Sequence, residues 1–168
     1  MADTVRIVLY LNQFFGQAGG EEAAGLPPRL VTEVVGPGRA LAGLLAEGEQ
    51  LAGTIVCGDT YFGDHPEQAA AECLALLREL QPDILLAGPA FNAGRYGVAC
   101  GTLCQLAARE LGIPTVSGMF EENPGAELFR QDVLIVRTGT NAATMRDSLS
   151  AMLKLARKLR SNEPLAKP

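Results

Sequence analysis

The sequence has little of what a metal centre needs. It holds one histidine, His65, and four cysteines, Cys57, Cys73, Cys100 and Cys104. Cys100 and Cys104 have no second Cys or His pair to complete a tetrahedral zinc site, so no metal is expected. No stretch joins a charged leader to a long apolar segment, and no apolar span reaches about 18 residues, so neither secretion nor membrane insertion is expected. The cytoplasm is the default location. There the four cysteines read as reduced thiols rather than as a disulfide framework. Basic runs and interleaved aromatics are lacking too, and a net charge of -5 argues against nucleic acid or an anionic membrane as partner. The one basic cluster, Lys154, Arg157, Lys158 and Arg160, falls at the end of a predicted helix, where cations complement the helix dipole.

What is present is globular: 48% hydrophobic and 20% charged residues over 168 positions, the size of one ordinary domain. The expectation is a single α/β domain over residues 1–160 with a frayed tail over 161–168. Short β-rich apolar runs alternate with helical periodicity, the pattern of βαβ units. Strands are expected at Val5 to Leu11, Leu30 to Val35 (an edge strand), Thr54 to Cys57, Asp83 to Ala87, Pro114 to Ser117 and Val133 to Arg137. Pro37 suits the first turn of a helix containing Leu41, Leu44 and Leu45 and closed by Gly48; Pro66 opens another with Ala70, Cys73, Leu74, Leu77 and Leu80 in register. Further helices are expected from about Gly97 to Leu111, capped by Gly112, and from Ala143 to Leu159. The architecture that follows is three-layered: a mostly parallel, Rossmann-like or flavodoxin-like sheet with helices on both faces.

In open parallel sheets ligands bind beyond the carboxyl ends of the strands. Here those ends carry unusual chemistry. The first strand runs into Asn12-Gln13-Phe14-Phe15-Gly16-Gln17 and Gly19-Gly20-Glu21-Glu22, and the Thr54 strand ends in Cys57-Gly58-Asp59-Thr60-Tyr61-Phe62. The Asp83 strand ends in Gly88-Pro89-Ala90-Phe91-Asn92-Ala93-Gly94-Arg95-Tyr96-Gly97, and the Thr115 strand in Gly118-Met119-Phe120-Glu121-Glu122-Asn123-Pro124-Gly125. Arg95 stands beside a helix start, where a guanidinium fork and free N–H groups suit a carboxylate or phosphate; alternatively it braces Glu121 or Glu122. The Gly88 to Gly97 loop is neither a Walker loop nor a dinucleotide fingerprint. Asn12, Gln13, Asp59, Tyr61, Asn92, Arg95, Tyr96, Glu121, Glu122 and Asn123 are the candidate substrate-binding residues. Asp59, Glu121 and Glu122 could also serve in acid–base work, or be solvated loop carboxylates. Cys57 and Cys100 are the candidate catalytic thiols. Cys100 is placed in the first turn of its helix, where the dipole lowers a thiol pKa, against the alternative of a buried cysteine acting as a small hydrophobe.

Taken in order, LNQFFGQAGGEE, IVCGDTYF, AGPAFNAGRYGVACG and GMFEENPG closely resemble the selenoprotein B subunit of the glycine, sarcosine and betaine reductases, over residues 11 to 125 and on through MRDSLSAMLKLARKL. The resemblance covers only the amino-terminal part of the family subunit. It implies a place in a complex that reductively removes an amine or ammonia from a glycine-type substrate, with a pyruvoyl-bearing partner subunit and a carrier selenoprotein. The family's redox centre, a selenocysteine followed by Cys-x-x-Cys, lies in a later region not found in these residues, so no position takes the nucleophile's role and no cofactor is expected in this chain. What is implied is a substrate-end or scaffold domain, a fragment or a stand-alone relative. Two other readings stay open: a catalytically silent module that binds a small carboxylate, and a flavodoxin-like flavin protein.

Overall fold

A computed structural model of the chain describes residues 4–162. Six strands, β1 (Val5–Asn12), β2 (Arg29–Val31), β3 (Glu49–Cys57), β4 (Ile84–Phe91), β5 (Thr115–Met119) and β6 (Leu134–Arg137), form one sheet in the order β2-β3-β1-β4-β5-β6. Every pairing is parallel except that of the edge strand β2 with β3. The five parallel strands therefore follow the flavodoxin-like order, and the direction of chain progression reverses between β1 and β4.

The reversal sorts the helices. Helices α1 (Pro37–Ala42) and α6 (Met145–Arg160) touch each other on one face, while α2 (Asp59–Asp64), α3 (Pro66–Leu80), α4 (Gly94–Leu111) and α5 (Pro124–Phe129) line the other. Period-two alternation along the strands feeds both layers. On β1, Val8 and Tyr10 enter the core under α3 and α4, while Ile7, Leu9 and Leu11 enter the core under α1 and α6. Both faces of the central strands are covered by the chain's own helices.

The expected strands and four main helices are all present, with shifted ends. Helix α1 stops at Ala42 instead of reaching Gly48, because Leu44 and Leu45 donate to Leu41 and Ala42 in tighter i→i−3 bonds. Helix α4 begins at Gly94 rather than near Gly97, its first turn closed by the Gly97 N–H donating to the Ala93 carbonyl at 2.8 Å. Helices α2 and α5 fall where the sequence pattern predicts loop. At six residues each, they are too short to show an apolar period. Ser161 and Asn162 form a turn, and the rest of the expected tail, 163–168, lies outside the described residues. Among the described residues no helix is long and apolar enough to cross a membrane, and no cluster of His, Cys, Asp and Glu could hold a metal ion.

Candidate functional site

The carboxyl ends of β3, β1 and β4 lie side by side, and the residues following them interlock. Asn12, the last residue of β1, donates from Nδ2 to Asp59 Oδ2 at 2.9 Å, and its Oδ1 accepts from the Phe15 N–H at 2.9 Å. Gln13 accepts from the Asp59 N–H through Oε1 at 2.9 Å. One amide thus orients the Asp59 side chain and the next holds its backbone. All three are buried, and Asp59 is 6% exposed.

Asp59 has one carboxylate oxygen too many for its partners. Its Oδ1 is buried with no hydrogen-bond partner among the described residues. Burial pushes its pKa above the ordinary carboxylate value; the Asn12 hydrogen bond and the nearby Arg95 charge pull against that, and Glu21 adds to it. A buried acceptor left open costs on the order of 1–3 kcal/mol, a cost that persists where function needs the group.

Arg95 reaches over from the first turn of α4. Its Nη1 donates to Thr60 Oγ1 and its Nη2 to Glu21 Oε1, each at 2.6 Å. The alternative brace with Glu121 or Glu122 is not formed; Arg95 braces Glu21 and Thr60 instead. Glu121 instead pairs with Arg137 at 3.3 Å, because β6 lies beside β5 and brings Arg137 to the same rim. Arg95 also lines a mostly apolar cavity of about 450 Å³ together with Phe62, Pro66, Val98, Ala99 and Pro124.

Aromatic rings complete the rim. Phe14 is 63% exposed and stands edge-on to Phe15, which packs against Phe91 and Tyr96 with centroids 6.2 and 5.9 Å away. Tyr96 is buried, its hydroxyl 3.5 Å from the Tyr10 carbonyl, and burial raises the pKa of both phenols. Phe91 holds a left-handed φ of 51°. Asn123 secures that turn: its Nδ2 donates to the carbonyls of Phe91 and Ala93 at 2.9 and 3.1 Å, while its Oδ1 caps α5 at the Gly125 N–H. The amide of Asn123 is thus engaged with backbone. Asn92 and Glu122 are exposed at the rim, and Tyr61 donates to Glu72 Oε1 at 2.6 Å, which pushes its phenol up to about 12.

All four cysteines are free and buried. Cys57 ends β3 with Sγ 3.8 Å from the Leu26 carbonyl. The expected dipole effect on Cys100 does not hold. Because α4 starts at Gly94, Cys100 lies in the second turn facing the core, and desolvation raises its thiol well above the ordinary value.

The structure therefore brings together Asn12, Gln13, Asp59 and Arg95, sets Tyr96 beneath them, and draws Glu121 toward β6. Glu21 and Thr60 complete the group and are absent from the sequence candidates. The signal for Glu21 is present, a carboxylate directly after Gly19-Gly20, but nothing local says that it reaches α4.

The chain is similar over nearly its whole length to known proteins. The family model described as glycine/sarcosine/betaine reductase selenoprotein B matches residues 4–168. The chain is 50% identical over 159 residues to the glycine reductase complex component B subunit gamma of Symbiobacterium thermophilum, covering 95% of this chain and 37% of that protein. From Peptoclostridium acidaminophilum, the sarcosine reductase complex component B subunit beta is 44% identical (98% of this chain, 38% of that protein) and its betaine counterpart 42% identical (95% and 36%). No solved structure matches. The chain spans little more than a third of the length of these curated relatives. With a match over nearly every residue, the chain belongs to the glycine/sarcosine/betaine reductase selenoprotein B family.

Proposed function

We propose that this chain is the substrate-end domain of a component B subunit in a glycine, sarcosine or betaine reductase-type complex, holding a glycine-type zwitterion at the carboxyl edge of its sheet. The observation that carries this reading is a buried, half-satisfied carboxylate, Asp59, lying near but not bonded to an exposed guanidinium, Arg95, at the β3, β1 and β4 ends. A glycine-type substrate carries one positive and one negative end. The Asp59 carboxylate offers negative charge for the nitrogen end, with Oδ1 as an acceptor for the N–H groups of glycine or sarcosine and charge alone for the quaternary nitrogen of betaine, and the Arg95 fork suits the carboxylate. Asn12 orients the carboxylate of Asp59 and Gln13 holds its backbone N–H, so that this acidic group is positioned before a ligand arrives. With every thiol buried, the chemistry assigned to this chain is binding and orientation, and the reducing centre belongs to the complex. In that scheme a pyruvoyl-bearing subunit and a carrier selenoprotein are its partners, in the cytoplasm.

Calorimetric titration of glycine, sarcosine and betaine into wild type and Arg95→Ala, paired with thermal melts, tests the assignment. Losing a charge-assisted bidentate contact costs about 1.5–3 kcal/mol, roughly ten to more than a hundredfold in affinity. An unchanged dissociation constant with a lowered melting point would reject the ligand role of Arg95.

A further inference from the structure

Arg95 does not wait empty, and what holds it is informative. The segment from Gly19 to Ala23 is tied down on both sides: the Ala18 and Gly19 N–H groups donate to the Gln13 carbonyl at 2.9 and 3.3 Å, and the Ala24 carbonyl accepts from the Tyr61 N–H at 2.9 Å. Its entry needs glycine, since Gly19 has a φ of 144° and a Cβ there would lie 2.8 Å from the Ala23 methyl. The two glutamates then do different things. Glu22 folds back, Oε1 accepting from the Gly20 N–H at 2.9 Å, which lowers its pKa and closes the turn. Glu21 is left to cross to α4, where one of its oxygens meets Arg95 Nη2 at 2.6 Å while its side chain stays 77% exposed.

We propose that Glu21 is a built-in stand-in for the ligand's carboxylate: it holds the Arg95 fork in position when the site is empty and is displaced when a small carboxylate binds. The proposal rests on the reading of Arg95 as the carboxylate grip. Three observations carry it. Glu21 offers the ligand's own functional group at the ligand's expected position. It engages only one arm of the fork, since the other is on Thr60, so an incoming carboxylate with both oxygens free makes the better contact. The pair is exposed, and exposed ion pairs are cheap to break. Glu21 also keeps the guanidinium charge neutralised beside Asp59, so the empty site carries no unpaired cation.

The test is acetate titration of the 168-residue chain, followed by the Arg95 side-chain Nε–H NMR signal at constant ionic strength, for wild type, Glu21→Gln and Glu21→Ala. Glu21→Gln keeps the loop's shape, and thermal melts confirm that both variants fold. The expected result is acetate binding roughly two- to fivefold tighter in both variants, the range set by an exposed pair. Equal or weaker binding in Glu21→Gln overturns the proposal, and so does acetate that shifts the Arg95 signal in no protein. If acetate binding tightens as expected while glycine, sarcosine and betaine bind no better than acetate, the stand-in role holds and the glycine-type reading fails.

Discussion

Replacing Asp59 with asparagine should stabilise the protein while weakening ligand binding. The carboxylate is 6% exposed, and its Oδ1 has no partner, so ionising it in place leaves charge on an oxygen that nothing solvates. Desolvation is the largest influence on its pKa and raises it from the ordinary value of 3.8; the Asn12 hydrogen bond and the Arg95 charge offset only part. A group whose folded pKa lies above its unfolded value favours the folded state below the unfolded value, and that favour is lost as pH rises through the folded pKa. Ionised Asp59 is therefore a liability near neutral pH. The Asp59→Asn side chain would keep an acceptor for Asn12 Nδ2 and place a neutral, unmet amide N–H where a charged oxygen was unmet, so the gain is that of the removed charge alone, about 1 kcal/mol, which in a chain of this size raises Tm by roughly 2–4 °C. The gain should shrink as the pH is lowered toward 3.8, where wild-type Asp59 becomes protonated as well. Melts of both proteins between neutral and acid pH, with calorimetric titration of glycine, measure both halves. A variant that melts lower than wild type at neutral pH, or a Tm difference that does not change with pH, would refute the reasoning. Gaining stability while losing affinity is the behaviour of a residue kept for function against the interest of the fold.

The thiols and the Asn123 clamp make two further predictions. All four cysteines should resist a water-soluble thiol reagent in the native protein, react fully on denaturation, and show no two-proton mass loss at Cys100 and Cys104; rapid native labelling of Cys57 or Cys100 would restore them as accessible nucleophiles. Gly97→Ala should cost about 1–3 kcal/mol, because the added Cβ collides with the Asn123 amide, itself held by three backbone bonds; a Tm within about 1 °C of wild type would show that the clamp yields easily.

Much of this protein is legible in the chain alone, for a physical reason. Strands such as β4, buried on both faces, must be apolar without interruption, and long helices such as α3 and α6 must repeat their apolar stripe; both patterns are local. The rule that ligands gather at the carboxyl ends of parallel strands then points to Asn12, Gln13, Asp59 and Arg95 from their order in the chain. Partner choice is not local. Whether Arg95 meets Glu21 or Glu121 depends on the strand order: β3 and β1 beside β4 put Thr60 and Glu21 within its reach, while β6 at the far edge gives Glu121 to Arg137. The state of Cys100 turns on where α4 begins, a shift from Gly97 to Gly94 that takes the thiol from a helix end into the core. The orphaned oxygen of Asp59 has no sequence signature at all, since an unmet hydrogen bond is a property of the space around an atom, and only the packed fold defines that space.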